Sequence, residues 1–260
     1  MISVARVHLE AIKISFAARM AYRGDFFISV TLTFLFEFIS PLVILLIYKT
    51  GSSFPGFNLY EVLFIQGVFM ISKGIAFMFF FGIVGNVLRS VREGTFDNYL
   101  LRPRSVLYLT IASSFDSEEL GKLIGGVLIL IFAFINIPPP SLIQWLGFLL
   151  LMIASQAVLF SFSLISSAIV FLWVGNSRVY EIFDSASTFG LYPRTIFSKN
   201  LQNIITFIVP VAMIGFMPAS VLLGKNADGI MLSFFSSIIF LLISLLFWHF
   251  MLRKHTSAGG

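Results

Sequence analysis

The sequence predicts an all-α, polytopic membrane protein with six transmembrane helices, and three observations carry that prediction. Of its 260 residues 58% are hydrophobic and 11% are Asp, Glu, Lys or Arg, where a soluble domain carries about 25% charged residues. Mean hydropathy is +0.98; a soluble fold of this length could not cover so much apolar surface, whereas a bilayer is itself an apolar solvent. The apolar residues fall in continuous runs rather than in alternation, which favours helices over a closed barrel. The 32 phenylalanines suit a lipid-facing surface. Cysteine is absent, which excludes disulfides, thiolate metal sites and a cysteine nucleophile. No basic, aromatic-interleaved patch is present, so nucleic acid is not an expected partner.

The elements follow in order. Residues 1–23 read as an amphipathic helix: Val4, Val7, Ala11, Ile14 and Ala18 share one arc, with Arg6, Glu10 and Lys13 opposite, the pattern of a helix lying along the inner membrane surface. A first apolar run, 26–48, is too long for the core of a cleavable signal peptide. About 20 apolar residues cross a bilayer, and further candidates occupy 60–86, 118–136, 142–174 and 230–251, with a fifth apolar block at 201–223. Positive charge alternates. Arg6, Lys13, Arg19 and Arg23 precede the first run, only Lys49 follows it, Arg89, Arg92, Arg102 and Arg104 lie within 87–117, and Pro138–Pro140 is uncharged. The positive-inside rule then places both termini in the cytoplasm. Residues 176–200 are open to two readings: a cytoplasmic loop before a span at 201–223, or a crossing at 178–192 followed by an outer re-entrant hairpin at 193–223, broken by Pro193, Pro210 and Pro218.

Within 87–117, Gly94 should break the preceding helix, Thr95 should cap a new one, and Asp97 should sit in its first turn. Phe96, Tyr99 and Leu100 then share a face, and Pro103 stops the helix. A short amphipathic helix with an aromatic knob among arginines is a docking element. Phe96 and Leu100 are expected to insert into a cleft on a partner, with Arg92 and Arg102 aiding encounter. Inside the spans, Glu37 and Lys73 are ionisable residues at similar depth, read either as a pathway or interface lock or as a structural ion pair. Lys122 with Asp116, Glu118 and Glu119 reads as a solvated end of the third span. Gly121 and Gly125 permit close helix approach, at a permease dimer seam or within the chain.

The run VREGTFDNYLLRPRS resembles the cytoplasmic signature of type-2 ABC (ATP-binding cassette) exporter permeases, in the branch with a Gly-x-Phe-Asp-x-x-Leu-Leu-x-Pro motif, here Gly94, Phe96, Asp97, Leu100, Leu101 and Pro103. The stretch from Tyr192 to Lys225 is similar to the branch's Pro-rich block. The ending FMLRKHTSAGG is similar to its basic tail, departing from it at Lys254-His255. The resemblance implies a single permease domain over 1–260 without its own ATPase. The 95–102 helix would be a coupling helix onto an ABC ATPase dimer, a second permease (identical or different) would complete the pathway, and membrane lipids would surround it. It also implies the hairpin reading of 193–223. No cofactor is expected in this chain; ATP and Mg would be bound by the partner ATPase. The sequence itself offers no Walker A loop, since Gly224-Lys225 lacks the upstream glycine and the following Ser or Thr. It has no metal-ligand spacing and no Ser–His arrangement, so an enzyme is not expected. The competing class is an ATP-independent secondary transporter or channel, which tends to show internal repeats with broken helices; none is visible here.

Overall fold

A computed structural model describes residues 4–173, 178–225 and 228–256, and among them every regular element is a helix. The chain begins with α1 (Val4–Ala21), followed by α2 (Arg23–Glu37) and α3 (Ile39–Lys49), which run on as one apolar stretch. The break between them at Phe38 follows from Pro41, which has no N–H to give and whose ring opposes the carbonyl of Glu37 four residues earlier. Next comes α4 (Leu59–Ala76), started by a capping box in which Asn58 and Glu61 satisfy each other's backbone N–H groups at 2.9 and 2.8 Å. It passes through a π-turn at Phe77–Phe81 into α5 (Ile83–Arg92). The continuous helix has 34 residues, about 50 Å at 1.5 Å per residue, so it overshoots a hydrocarbon core of about 30 Å.

Two short helices, α6 (Asp97–Leu100) and α7 (Val106–Ala112), follow that overshoot. Then come α8 (Leu120–Phe134), α9 (Leu142–Val170), α10 (Arg178–Ser187), α11 (Lys199–Asn203), α12 (Phe216–Leu222) and α13 (Ile230–Leu252). Four stretches are long and apolar enough to cross a membrane: 23–49, 59–92, 142–170 and 230–252. They match four of the expected spans to within a few residues, except that the second runs on to Arg92. At 15 residues α8 is shorter than the 118–136 expected for the third. It packs mainly on α4, with α2 on another side. The approach to α4 is close because of glycine: a Cβ at Gly126 would lie 2.9 Å from the Cβ of Met70. Large apolar side chains such as Phe36, Leu46, Leu149, Leu242 and Leu246 remain exposed along α2, α3, α9 and α13, as expected for a lipid-facing surface.

Starting at α10, the chain runs beside α4 in the reverse sense. Tyr180 meets Phe77 and Phe81, Asp184 meets Lys73, Gly190 lies against Phe69, and Tyr192 stacks on Phe54. By Tyr192 it has reached the end of the molecule that holds the loop 50–58. Residues 194–225 stay at that end: Thr195 Oγ1 donates to the Pro55 carbonyl, and Lys225 pairs with Glu61 at 2.8 Å. Between those two ties the backbone dips inward, so that the Ile214 carbonyl accepts from Ser155 Oγ at 3.1 Å and Gly215 abuts Phe69. Phe69 lies ten residues into α4, about 15 Å along it. Such irregular backbone at depth is tolerable because Val211, Ala212, Met213 and Ile214 are buried in protein. The opposite end gathers α1, α6, α7 and the residues after α13, through Ser15 Oγ to the Phe115 carbonyl and through His255 to Asp97. The expected stretch 1–23 is described from Val4 on, and the final Ser-Ala-Gly-Gly lies outside the described residues.

Candidate functional site

Two sites stand out along the α4–α5 helix, one past its end and one at membrane depth. At the end, Gly94 adopts φ +67°, the left-handed conformation that closes a helix. The N–H of Thr95 then bonds the Ser90 carbonyl at 2.8 Å and its hydroxyl points to the same oxygen at 3.4 Å. Thr95 therefore finishes α5 and does not cap α6, whose N-cap is Phe96 without a side-chain bond. A single turn cannot hold itself together, and what holds this one is Phe96. Its ring is 1% exposed and packs 4.9 Å from Phe171 and 4.9 Å from His255, with Tyr99 at 5.7 Å. Phe171 in turn meets Trp248 of α13 at 5.4 Å.

This corrects the expected docking role of Phe96. The aromatic knob points into the chain's own core, because burying a phenyl ring is the cheapest way to fix so short a helix. Asp97 is partly exposed, its carboxylate 3.3 Å from Nε2 of His255, whose side chain is 8% exposed, and Tyr99 is half-buried with its hydroxyl 3.4 Å from Ser113 Oγ. Leu100, Arg92 and Arg102 are exposed, and the most exposed apolar residue of the segment is Leu101, at 83%. Sequence reasoning treated His255 only as a departure in the tail. It lies 158 residues from Asp97 along the chain, and no local pattern could have joined them.

The second site is a set of charges around Phe77. Glu37 and Lys73 do not pair with each other. Lys73 Nζ lies 2.5 Å from Asp184 of α10, while Glu37 lies 3.9 Å from Lys122 of α8, which also sits 2.8 Å from Glu119. Both lysines approach the Phe77 ring, Lys122 at 4.1 Å and Lys73 at 5.2 Å, a cation–π arrangement that strengthens away from water. The Lys122 side chain is 13% exposed while those of Glu118 and Asp116 are 24% and 35% exposed, so the cluster is enclosed at the lysine and opens toward Asp116. Charges at this depth are stable only when paired: Lys73 and Glu37 draw their partners from other helices, and Lys122 also holds Glu119 three residues before it. Arg19 of α1 extends the set to Glu118 at 2.6 Å and Asp116 at 3.9 Å. Sequence reasoning noted Asp184 only among the charges of 176–200 and did not join it to Lys73.

Gly121 and Gly125 sit beside this set, and their neighbours are within the chain. A Cβ at Gly121 would fall 2.2 Å from the Val30 carbonyl oxygen and 2.8 Å from Phe34 N, and one at Gly125 would fall 3.3 Å from the Glu37 Cβ. They let α8 lie flat on α2 and bring Lys122 to Glu37, so the dimer-seam alternative is replaced by intrachain packing.

An apolar multi-helix chain with paired internal charges and a seated exposed turn has the build of a membrane transport subunit. A family model described as ABC-2 family transporter protein matches residues 32–259. Neither the curated proteins nor the solved structures compared with the chain include a match. The match leaves out α1, the first nine residues of α2 and the final residue, and it implies a transport subunit rather than an enzyme. The chain therefore belongs to the ABC-2 transporter family, as a multi-pass membrane permease of the ABC type.

Proposed function

We propose that this chain is the permease subunit of an ATP-driven exporter, with energy supplied by a separate ABC ATPase dimer docked on the face formed by Leu100, Leu101 and Arg102. ATP and Mg belong to that partner, and a second permease completes the pathway. The observation that carries the reading is the mounting of α6. A one-turn helix is clamped by a buried phenylalanine to α9, α13 and the C-terminal tail, and turns two leucines and an arginine to solvent past the overshooting end of α5. A clamp of that kind transmits force from a bound partner to two membrane-crossing helices, which a loosely tethered loop cannot do.

In this reading the chain crosses the inner membrane six times: at 23–49, 59–92, 117–134, 142–170, 178–191 and 230–252. Both termini are cytoplasmic, α1 lies along the inner surface, and 193–223 forms an outer re-entrant element. The shared end of the two termini supports an even number of crossings, and the arginines near α5 and α6 support a cytoplasmic assignment of that end. The test is copurification. Replacing Leu100 and Leu101 together by Ala should leave the chain membrane-inserted and lower ATPase capture at least tenfold, since a central apolar anchor is worth about 2 kcal/mol or more. Undiminished capture with undiminished transport would contradict the docking face.

A further inference from the structure

Beside the charge set lies a cavity of about 330 Å³ that none of the contacts above fills. One wall is aromatic: Phe77 and Phe81 stack nearly parallel at 4.3 Å and Tyr180 meets both edge-on. Asp116 and Glu119 line a second side, and Ser166 of α9 lines a third. α5 contributes Gly85, an exposed position in the lining where an added Cβ would meet nothing within 4 Å.

Two independent observations indicate what this cavity takes. The first is charge. The ion pairs around Phe77 join five carboxylates, Glu37, Asp116, Glu118, Glu119 and Asp184, to three cations, Arg19, Lys73 and Lys122, among the described residues. Asp116, facing the cavity, stands 3.9 Å from an arginine that already holds Glu118 at 2.6 Å, and its Oδ1 accepts from the Glu118 N–H at 3.0 Å. Asp116 and Glu119, the two carboxylates that line the cavity, are partly buried, and a positively charged guest relieves the cost of burying them. The second is an orphan hydroxyl. Ser166 is 2% exposed and its Oγ has no hydrogen-bond partner, although serines elsewhere on α9 bond backwards to the helix, as Ser161 and Ser167 do. A buried polar group left without a partner in a cavity wall is a site prepared for a ligand atom.

From this we infer that the cavity is a binding site for an organic cation with an apolar or aromatic body. The positive group sits toward Asp116 and Glu119, the body lies along the Phe77, Phe81 and Tyr180 rings, and Ser166 offers its hydroxyl to a polar substituent. Cation–π attraction and carboxylate proximity reinforce each other in such a pocket, and the volume lies at the lower end of the range for small-molecule sites. The inference deepens the transport reading by naming a substrate class, and it rests on that reading only for the statement that the bound molecule is carried.

The test is equilibrium binding of radiolabelled tetraphenylphosphonium to the full chain, with whatever subunits copurify, in lipid nanodiscs without nucleotide; the shape-matched anion tetraphenylborate is the competitor. Saturable binding is expected, with tetraphenylborate competing at least tenfold less well than unlabelled tetraphenylphosphonium. Ser166→Leu, which fills the cavity at a buried lining position, should weaken binding at least tenfold, and Asp116→Asn should weaken it severalfold. If Ser166→Leu does not reach the membrane, Gly85→Phe in the cavity lining serves in its place. Equal competition by the anion, or affinity unchanged in the filled-cavity variant, overturns the proposal. ATPase capture is scored on the same samples. Capture lost with binding intact would count against the coupling reading alone, and capture intact with binding absent would count against the cation site alone.

Discussion

The α4–α5 helix carries charge in two regions that solve opposite problems. Around Phe77 the lysines are largely enclosed, so Lys73 pairs with Asp184, and Lys122 with Glu37 and Glu119, which ties α4 to α10 and α8 to α2. Past Arg92 water is available, the arginines stand exposed, and an apolar group, Phe96, does the fixing instead. The difference teaches that polarity has opposite structural meaning at the two depths. In the membrane the charges hold helices together, and outside it they decorate a turn that is held by a phenyl ring.

Breaking the internal region should have the largest effect. Asp184→Ala leaves Lys73, whose side chain is 12% exposed, without its partner, and single removal of that kind costs about 3–5 kcal/mol. The folded fraction on fluorescence-detected size exclusion should fall sharply. Lys73→Met combined with Asp184→Leu should recover most of the loss, since a matched apolar pair needs no compensation. If the double variant is as unstable as the single one, the pair is not what the lysine is there for.

Removing the phenyl ring comes next. Phe96→Ala opens a cavity between α6, Phe171 and His255 and should cost about 3 kcal/mol locally. That is enough to expose the 94–105 segment to limited proteolysis while the chain stays membrane-inserted. Equal protease resistance in the variant and the parent would mean that the turn is held by something other than this ring.

Gly121→Val sharpens the comparison at intermediate size. Its side chain would strike the α2 backbone, and overpacking of this kind costs about 1–3 kcal/mol. Stability should drop while the oligomeric state of the surviving protein stays unchanged. A change in oligomeric state at unchanged stability would return Gly121 to a subunit seam. The smallest effect belongs to Arg92→Ala, which should lower ATPase capture only slightly at physiological salt, because exposed charges are screened. A loss as large as that of the Leu100–Leu101 double variant would reverse the roles of charge and apolar contact at this end.

Four spans were legible in the sequence because each is a long apolar run that only a bilayer can cover. The course of 178–191 was left between two readings, since its Tyr180, Glu181 and Asp184 lower the hydropathy of a short segment; their partners, Phe77 and Lys73, are far away in sequence. α8 was over-extended at both ends because hydropathy registers apolar character and not where a helix stops; Pro138 and the turn at Asn136 end it sooner. The face shared by Phe96, Tyr99 and Leu100 could be drawn from spacing alone. Spacing says nothing about what a face meets, and the tail that meets Phe96 lies at the far end of the chain.

Cysteine reactivity at Lys199 bears on the reading of 193–223 as an outer element. Lys199→Cys should react with an impermeant maleimide from outside intact cells, and reaction only after the inner face is opened would place it on the other side.

The most direct test of the coupling face uses the absence of native cysteine. Leu101→Cys, expressed with its partner subunits and exposed to a short bifunctional crosslinker in inside-out vesicles, should form a single permease–ATPase adduct. A cysteine at Ser52 in the opposite-end loop should form none. An adduct from Ser52→Cys, or the failure of Leu101→Cys to join an ATPase that copurifies with the chain, would contradict the assignment of α6 as the point where this permease receives its energy.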